Sequence, residues 1–184
     1  DSVPLNEKQN ARDIVSEALD KNEDYGNRNV YVRINSYESG IAIQDLDAIV
    51  SDEIDGVVVP KVNDEKEVRH LVRRLIELER QKTMSKKMGM MASIESARGL
   101  VNSYSIATAD LRVNMLVFGV FDFLYDMRLD YVQDGVEYSF ARAKIPIDAR
   151  AARIGAIDAI WQKVDDIEGL VRDAGTAKRL GYQG

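Results

Sequence analysis

The sequence predicts an α/β fold with a parallel sheet and crossover helices, and two observations predict it. Short apolar, β-branched runs alternate along the whole chain with longer stretches of helical periodicity. Several apolar runs also stop at a charged residue, namely Asp1, Arg33, Lys61, Glu95, Asp122 and Asp158. In parallel α/β folds the carboxyl ends of the strands line the ligand site, and unpaired charge beside a core is costly, so charges repeated on one rim mark a candidate site.

The elements follow in order. Residues 5–19 carry Ala11, Ile14, Val15, Ala18 and Leu19 at helical spacing, and 29–34 is a short strand with Val30, Val32 and Ile34. Ile43, Leu46 and Ile49 mark a short helix. Residues 56–60 form a continuous apolar run, as a parallel strand buried on both faces requires. Asp64 can cap a helix whose inner face holds Val68, Leu71, Val72, Leu75 and Ile76. Residues 88–93 make a strand ending at Ile94-Glu95, followed by a helix through Ala107. Residues 114–119 make another strand, 135–154 are mostly helical with Pro146 a break or kink, 156–160 a short strand, and 166–180 the last helix. An open doubly wound sheet and a (β/α)8 barrel both fit this order.

Composition narrows the function. The 184 residues are 45% hydrophobic and 30% charged, ordinary values for a globular domain. No apolar run approaches the ~20 residues that span a bilayer. With no cysteine and one histidine, His70, thiolate zinc sites, disulfides and histidine-centred triads are excluded or very poorly supported. A net charge of −6 without a basic stripe argues against nucleic acid. The expectation is a cytoplasmic protein that engages neither nucleic acid nor membrane. GxGxxG and GxxxxGK[ST] are both absent, which removes the main signature of a nucleotide-binding reading.

Glu95 and Asp122 are the candidate metal ligands. Two carboxylates from neighbouring strand ends, completed by water and substrate oxygens, suit Mg²⁺, which could polarise a carbonyl in a carbon–carbon cleavage. The competing reading is a helix N-cap or a surface ion pair. Arg33 offers a rigid fork for a carboxylate or enolate oxygen, and its competing reading is an ion pair to a neighbouring strand's acid.

The ordered motifs resemble one family. Asp1-Ser2-Val3 with Lys8 and Ala11-Arg12, Val32-Arg33-Ile34-Asn35, and Val59-Pro60-Lys61 carry the first part of the likeness. Ile94-Glu95-Ser96 with Gly99, Gly119 to Asp122, Phe140-Ala141-Arg142, Ala156-Ile157-Asp158 and Gly181-Tyr182-Gln183-Gly184 carry the rest. Together they are similar to the citrate lyase β-subunit-like lyases (citryl-, malyl- and citramalyl-CoA lyases) of the HpcH/HpaI aldolase group.

The resemblance implies a (β/α)8 TIM barrel with its first and last strands outside these residues. Residues 1–184 would then be a single incomplete barrel domain, from the end of strand 2 to the helix before strand 8, and unstable in isolation. It implies that Glu95 and Asp122 bind Mg²⁺, that Arg33 contacts the carboxylate or keto oxygen, and that Asp1 lies near the metal's water shell. Backbone N–H groups around Gly119, Phe121 and Asp122 would bind the substrate carboxylate. The implied reaction cleaves a 3-hydroxyacyl thioester, on CoA or an acyl-carrier protein, into a 2-oxo acid and an acetyl thioester. A homo-oligomer (trimer or hexamer), other citrate lyase subunits as partners, and a catalytic Asp from a neighbouring subunit's C-terminal segment belong to the same expectation. One departure concerns substrate choice: Val120-Phe121 stand before Asp122 where the family often has a glutamate. Two alternatives stand beside the lyase reading: a metal-dependent aldolase acting on free 2-oxo acids without CoA and, from the loss of that glutamate, a non-catalytic assembly subunit.

Overall fold

The computed structural model describes residues 2–21, 28–132 and 135–184. Five strands form one parallel sheet: β1 (Tyr31–Arg33), β2 (Gly56–Val59), β3 (Gly89–Ile94), β4 (Val113–Phe118) and β5 (Gly155–Ile157). Their spatial order equals their chain order. An open doubly wound sheet reverses direction at a switch point, whereas a (β/α)8 barrel adds each strand beside the last. The sheet is therefore an arc of the barrel type. Beyond β5 the backbone continues the pattern: Gln183 N–H donates to Ala156 O at 2.9 Å and Asp158 N–H to Gly184 O at 2.8 Å.

The helices are α1 (Lys8–Asp20), α2 (Ala42–Ile49), α3 (Glu65–Gln81), α4 (Ala97–Val101), α5 (Ser103–Ala107), α6 (Val120–Met127), α7 (Ser139–Ala151) and α8 (Ile167–Leu180). Asp64 caps α3 as its sequence position suggests, accepting from Lys66 N–H at 3.0 Å and Glu67 N–H at 3.3 Å. The helix expected after β3 is two short helices separated at Asn102, and α6 is an additional helix between β4 and α7. Among the described residues no helix is long and apolar enough to cross a membrane.

The core lies between the sheet and the helices. Val57, Val59, Met90, Ala92, Ile94 and Leu116 point at the helices with no accessible surface, and Leu46, Leu71, Leu75 and Ile145 meet them from the helical side. The other sheet face is less covered: Val58, Met91, Met115 and Val117 are half-buried among the described residues. There the β3–β4 register shifts between Met90 and Met91, so that Asn114 is an extra residue in β4. Its Nδ2 donates to Tyr31 Oη at 2.6 Å, across β2 and β3. Tyr31 can make that reach because Gly56 and Gly89 have no side chains; a Cβ on Gly56 would stand 2.5 Å from the Tyr31 ring.

Of the break or kink expected at Pro146, the break does not occur: α7 runs from Ser139 to Ala151. Proline removes the hydrogen bond to the carbonyl four residues earlier, here that of Arg142. Tyr182 supplies the missing donor: its Oη–H donates to Arg142 O at 2.8 Å. Burial raises the Tyr182 pKa, so the hydroxyl keeps the proton this bond needs.

Candidate active site

The carboxyl ends of β2, β3 and β4 bring Lys61, Glu95 and Asp122 into one cleft of about 850 Å³, lined also by Asn63, Ser96 and Asp126. Glu95 directly follows β3, beside Gly119 after β4, because Ile94 and Phe118 are register partners. Gly119 is needed there. A Cβ on it would lie 2.4 Å from Glu95 Cγ and 2.8 Å from Cδ, so only glycine lets Glu95 fold across the end of β4. Asp122 sits in the first turn of α6, which turns its carboxylate back over the same strand end.

The site is crowded with negative charge. Burial and the neighbouring Asp122 carboxylate push Glu95 up to about 7, while the cations Lys61 and Arg33 pull the other way. Lys61 Nζ pairs with Asp122 Oδ1 at 2.7 Å, and that contact raises the lysine's pKa. Lys61 holds a left-handed backbone, φ 54°, which non-glycine residues seldom adopt. The turn is pinned from both sides. Val62 N–H donates to Ser93 O at 3.1 Å, and Gly99 of α4 leaves room for Val62 O, which would be 2.5 Å from a Cβ.

The other expected site residues are placed as follows. Arg33 ends β1 and lines a neighbouring groove of about 310 Å³, with its guanidinium donating to Ser2 Oγ at 3.4 Å. Its charge still reaches Glu95. Gly119 N–H donates to Ile94 O at 3.1 Å, so this N–H continues the sheet instead of offering itself to a ligand. Phe121 is half-buried, its ring 5.4 Å from that of Tyr131. Asp1 lies outside the described residues. Lys61 was legible only as a rim charge, and its pairing with Asp122 is new.

Asp158, another rim charge, turns away from the cleft. Arg142 of α7 binds it through Nε at 2.8 Å and binds Asp173 of α8 through Nη1 at 2.8 Å. Burial works against the Arg142 charge, but the bonds to Asp173 and Asp158 outweigh it and hold its pKa above the usual value. Asp158 thus serves as an ion-pair partner that locks β5 to α7 and α8.

Other motif residues prove to be joined in the same way. Lys8 Nζ donates to Asn35 Oδ1 at 2.6 Å, Asn35 N–H to Asp45 Oδ2 at 2.7 Å, and Arg12 Nε to Asp45 Oδ1 at 2.8 Å. This chain ties α1 and α2 to the end of β1. Ser96 Oγ–H donates to Asn63 Oδ1 at 2.5 Å, and Asn63 N–H donates to Glu67 Oε2 at 3.2 Å. This second chain backs the cleft from β3 to α3.

Glu67 gives a pH-dependent prediction. Burial, with Asp64 and Glu38 nearby, lifts its pKa from 4.5 to about 7, against the pull of the Asn63 N–H. A carboxyl with a raised native pKa binds more protons folded than unfolded, so stability falls as pH rises from about 4.5 through about 7. Glu67→Gln keeps an acceptor for Asn63 N–H and removes that loss. Urea melts should show the variant more stable by ~1–2 kcal/mol at pH 8 and nearly equal at pH 4.5. An advantage that does not grow with pH would refute the assignment.

Residues 1–184 match the HpcH/HpaI aldolase/citrate lyase family. The citrate lyase subunit beta of Leuconostoc mesenteroides subsp. cremoris is 36% identical over 187 residues, covering 100% of this chain and 61% of the relative. The mitochondrial citramalyl-CoA lyase of Rattus norvegicus is 27% identical over 194 residues, covering 100% of this chain and 57% of the relative. Among solved structures, the citrate lyase beta subunit from M. tuberculosis complexed with oxaloacetate and magnesium superposes with a TM-score of 0.71. It is 22% identical, with 99% of this chain and 75% of that one covered. The chain thus spans about three fifths of the length of the curated relatives it matches. With the parallel barrel-type sheet and the carboxylate pair on its carboxyl rim, the match over all 184 residues places this chain in the HpcH/HpaI aldolase/citrate lyase family.

Proposed function

We propose that the protein is a Mg²⁺-dependent carbon–carbon lyase that cleaves a 3-hydroxyacyl thioester (citryl, citramalyl or malyl) into a 2-oxo acid and an acetyl thioester. The observation that carries this reading is the convergence of the Glu95 and Asp122 carboxylates in one cleft, where burial and the Asp122 charge push the Glu95 pKa up to about 7. The donor set fits Mg²⁺. Among the described residues no three His, Cys, Asp or Glu side chains gather, and Mg²⁺ favours one or two carboxylates with water and substrate oxygens over a full protein cage.

Each residue then has a task. Glu95 and Asp122 would hold the ion, which supplies positive charge at the oxygen that becomes the ketone. Arg33 would hold the carboxylate or keto oxygen of the 2-oxo acid half. The first N–H groups of α6, at Phe121 and Asp122, have no partner within the helix and would receive a substrate carboxylate. In the cleavage the hydroxyl gives up its proton and becomes the keto group. The C–C bonding pair passes to the acetyl half, and protonation there completes the acetyl thioester. Residues 1–184 would form one barrel domain lacking its first and last strands. The proposal keeps the cytoplasmic setting and the homo-oligomeric assembly expected from sequence.

Gly119→Ala follows from the contact with Glu95. A methyl 2.4 Å from Glu95 Cγ must displace that side chain. The expected result is Mg²⁺ affinity lowered ~10–100-fold, with a stability loss of ~1–3 kcal/mol from overpacking. Calorimetric titration and a melt measure both, and wild-type affinity would contradict the placement.

The reaction itself is tested with full-length protein offered malyl-CoA, citramalyl-CoA and citryl-CoA, with Mg²⁺ and with chelator. Cleavage that stops with chelator supports the lyase and names its acid. Failure on all three thioesters, combined with condensation of pyruvate and an aldehyde, would replace it with a free-acid aldolase.

A further inference from the structure

We propose that Lys61 is a built-in competing cation at the carboxylate pair, whose ion pair with Asp122 and a metal bound at Asp122 exclude each other. This rests on the reading of Glu95 and Asp122 as the metal ligands.

Lys61 Nζ stands 2.7 Å from Asp122 Oδ1, so it neutralises the carboxylate that an incoming ion would share with Glu95. The contact is not a chance encounter of two surface side chains. Lys61 lies in a left-handed turn, φ 54°, anchored by Val62 N–H on Ser93 O and seated against Gly99. Backbone strain of this kind persists only where the surroundings enforce it, and it gathers at functional sites. The turn fixes the root of the side chain at the cleft, while four methylenes leave its end free to swing. The Lys61 and Asp122 side chains are both about half exposed, 47% and 48%, so the ammonium can move into the open cleft without crossing packed structure.

The charge balance gives the direction. Two adjacent carboxylates without a counter-ion repel each other, and Lys61 relieves that repulsion. A divalent cation brings its own charge, and an ammonium beside it then opposes binding. Lys61 therefore stabilises the empty site and weakens the loaded one. Retained lysine would keep affinity moderate and the ion exchangeable.

The test compares full-length wild type, Lys61→Met and Lys61→Arg. Mg²⁺ and Mn²⁺ affinities are measured by titration calorimetry, and thermal midpoints with and without metal. Lys61→Met should bind both ions about tenfold tighter or more. Its metal-free midpoint should fall, and its gain on adding metal should exceed that of wild type. Lys61→Arg, which keeps the charge, should stay near wild type and shows that the fold tolerates a change at this position. Equal or weaker metal binding by Lys61→Met, with wild type binding normally, would overturn the proposal and leave the metal reading standing. Wild type that binds neither ion would overturn both.

Discussion

Glu95→Gln is expected to lower kcat/KM for the proposed Mg²⁺-dependent thioester cleavage by ~10³-fold, with no loss of stability. Glutamine has the same shape but contributes no charge to a divalent cation. Metal charge at a developing oxyanion is worth several kcal/mol, and ~4 kcal/mol corresponds to ~10³ in rate. Stability should move the opposite way. Glu95 is buried beside Asp122 and its ionised form is disfavoured there, as its pKa near 7 records. Neutralising it removes that repulsion, so the metal-free variant should melt at or above the wild-type temperature. A residue that the fold would be better without, but the reaction would not, is the signature of a functional carboxylate. Assays of the purified variant, with Mg²⁺ binding followed in parallel, would decide. Activity within threefold of wild type would remove Glu95 from the site.

Arg142→Met is expected to cost ~3–5 kcal/mol of stability, the usual penalty for stranding buried charge. The arginine is the shared partner of Asp158 and Asp173, and the Asp158 side chain is only 5% exposed. One oxygen of Asp158 is already buried without a hydrogen-bond partner among the described residues, so little else compensates for the lost guanidinium. Adding Asp158→Asn and Asp173→Asn to the variant should recover a large part of the loss, because the charges rather than the packing carry it. Denaturant melts of the single and triple variants test this. A single variant within 1 kcal/mol of wild type would show that the triad is surface decoration.

The contrast between Glu95 and Asp158 explains how much the sequence could reveal. Both follow an apolar strand and both read as rim charges. Strand period, crossover order and rim position are local properties, and they were legible. What separates the two residues is their neighbours, the Asp122 carboxylate for one and the Arg142 guanidinium, itself shared with Asp173, for the other, and those depend on contacts between separate elements. The likeness to citrate lyase β-type chains separated Glu95 from the rest where periodicity could not. Helix α6 was missed for a local reason. Residues 113–127 run almost continuously apolar and aromatic, so the change from strand to helix period at Gly119 leaves little pattern. The same blur hid why Gly119 is glycine. Its usefulness lies in the side chain of Glu95, which β3 delivers from the neighbouring strand. That Pro146 leaves α7 unbroken was equally out of local reach, since the distant Tyr182 supplies a donor to the carbonyl that proline leaves unpaired.

The most direct test is a crystal structure of the full-length protein grown with Mn²⁺ in place of Mg²⁺ and a 2-oxo acid. The account predicts one anomalous peak at bonding distance, roughly 2.0–2.2 Å, from carboxylate oxygens of both Glu95 and Asp122, with the Lys61 ammonium withdrawn from Asp122. A peak elsewhere, or a structure with the 2-oxo acid bound and no metal between those two residues, would contradict it.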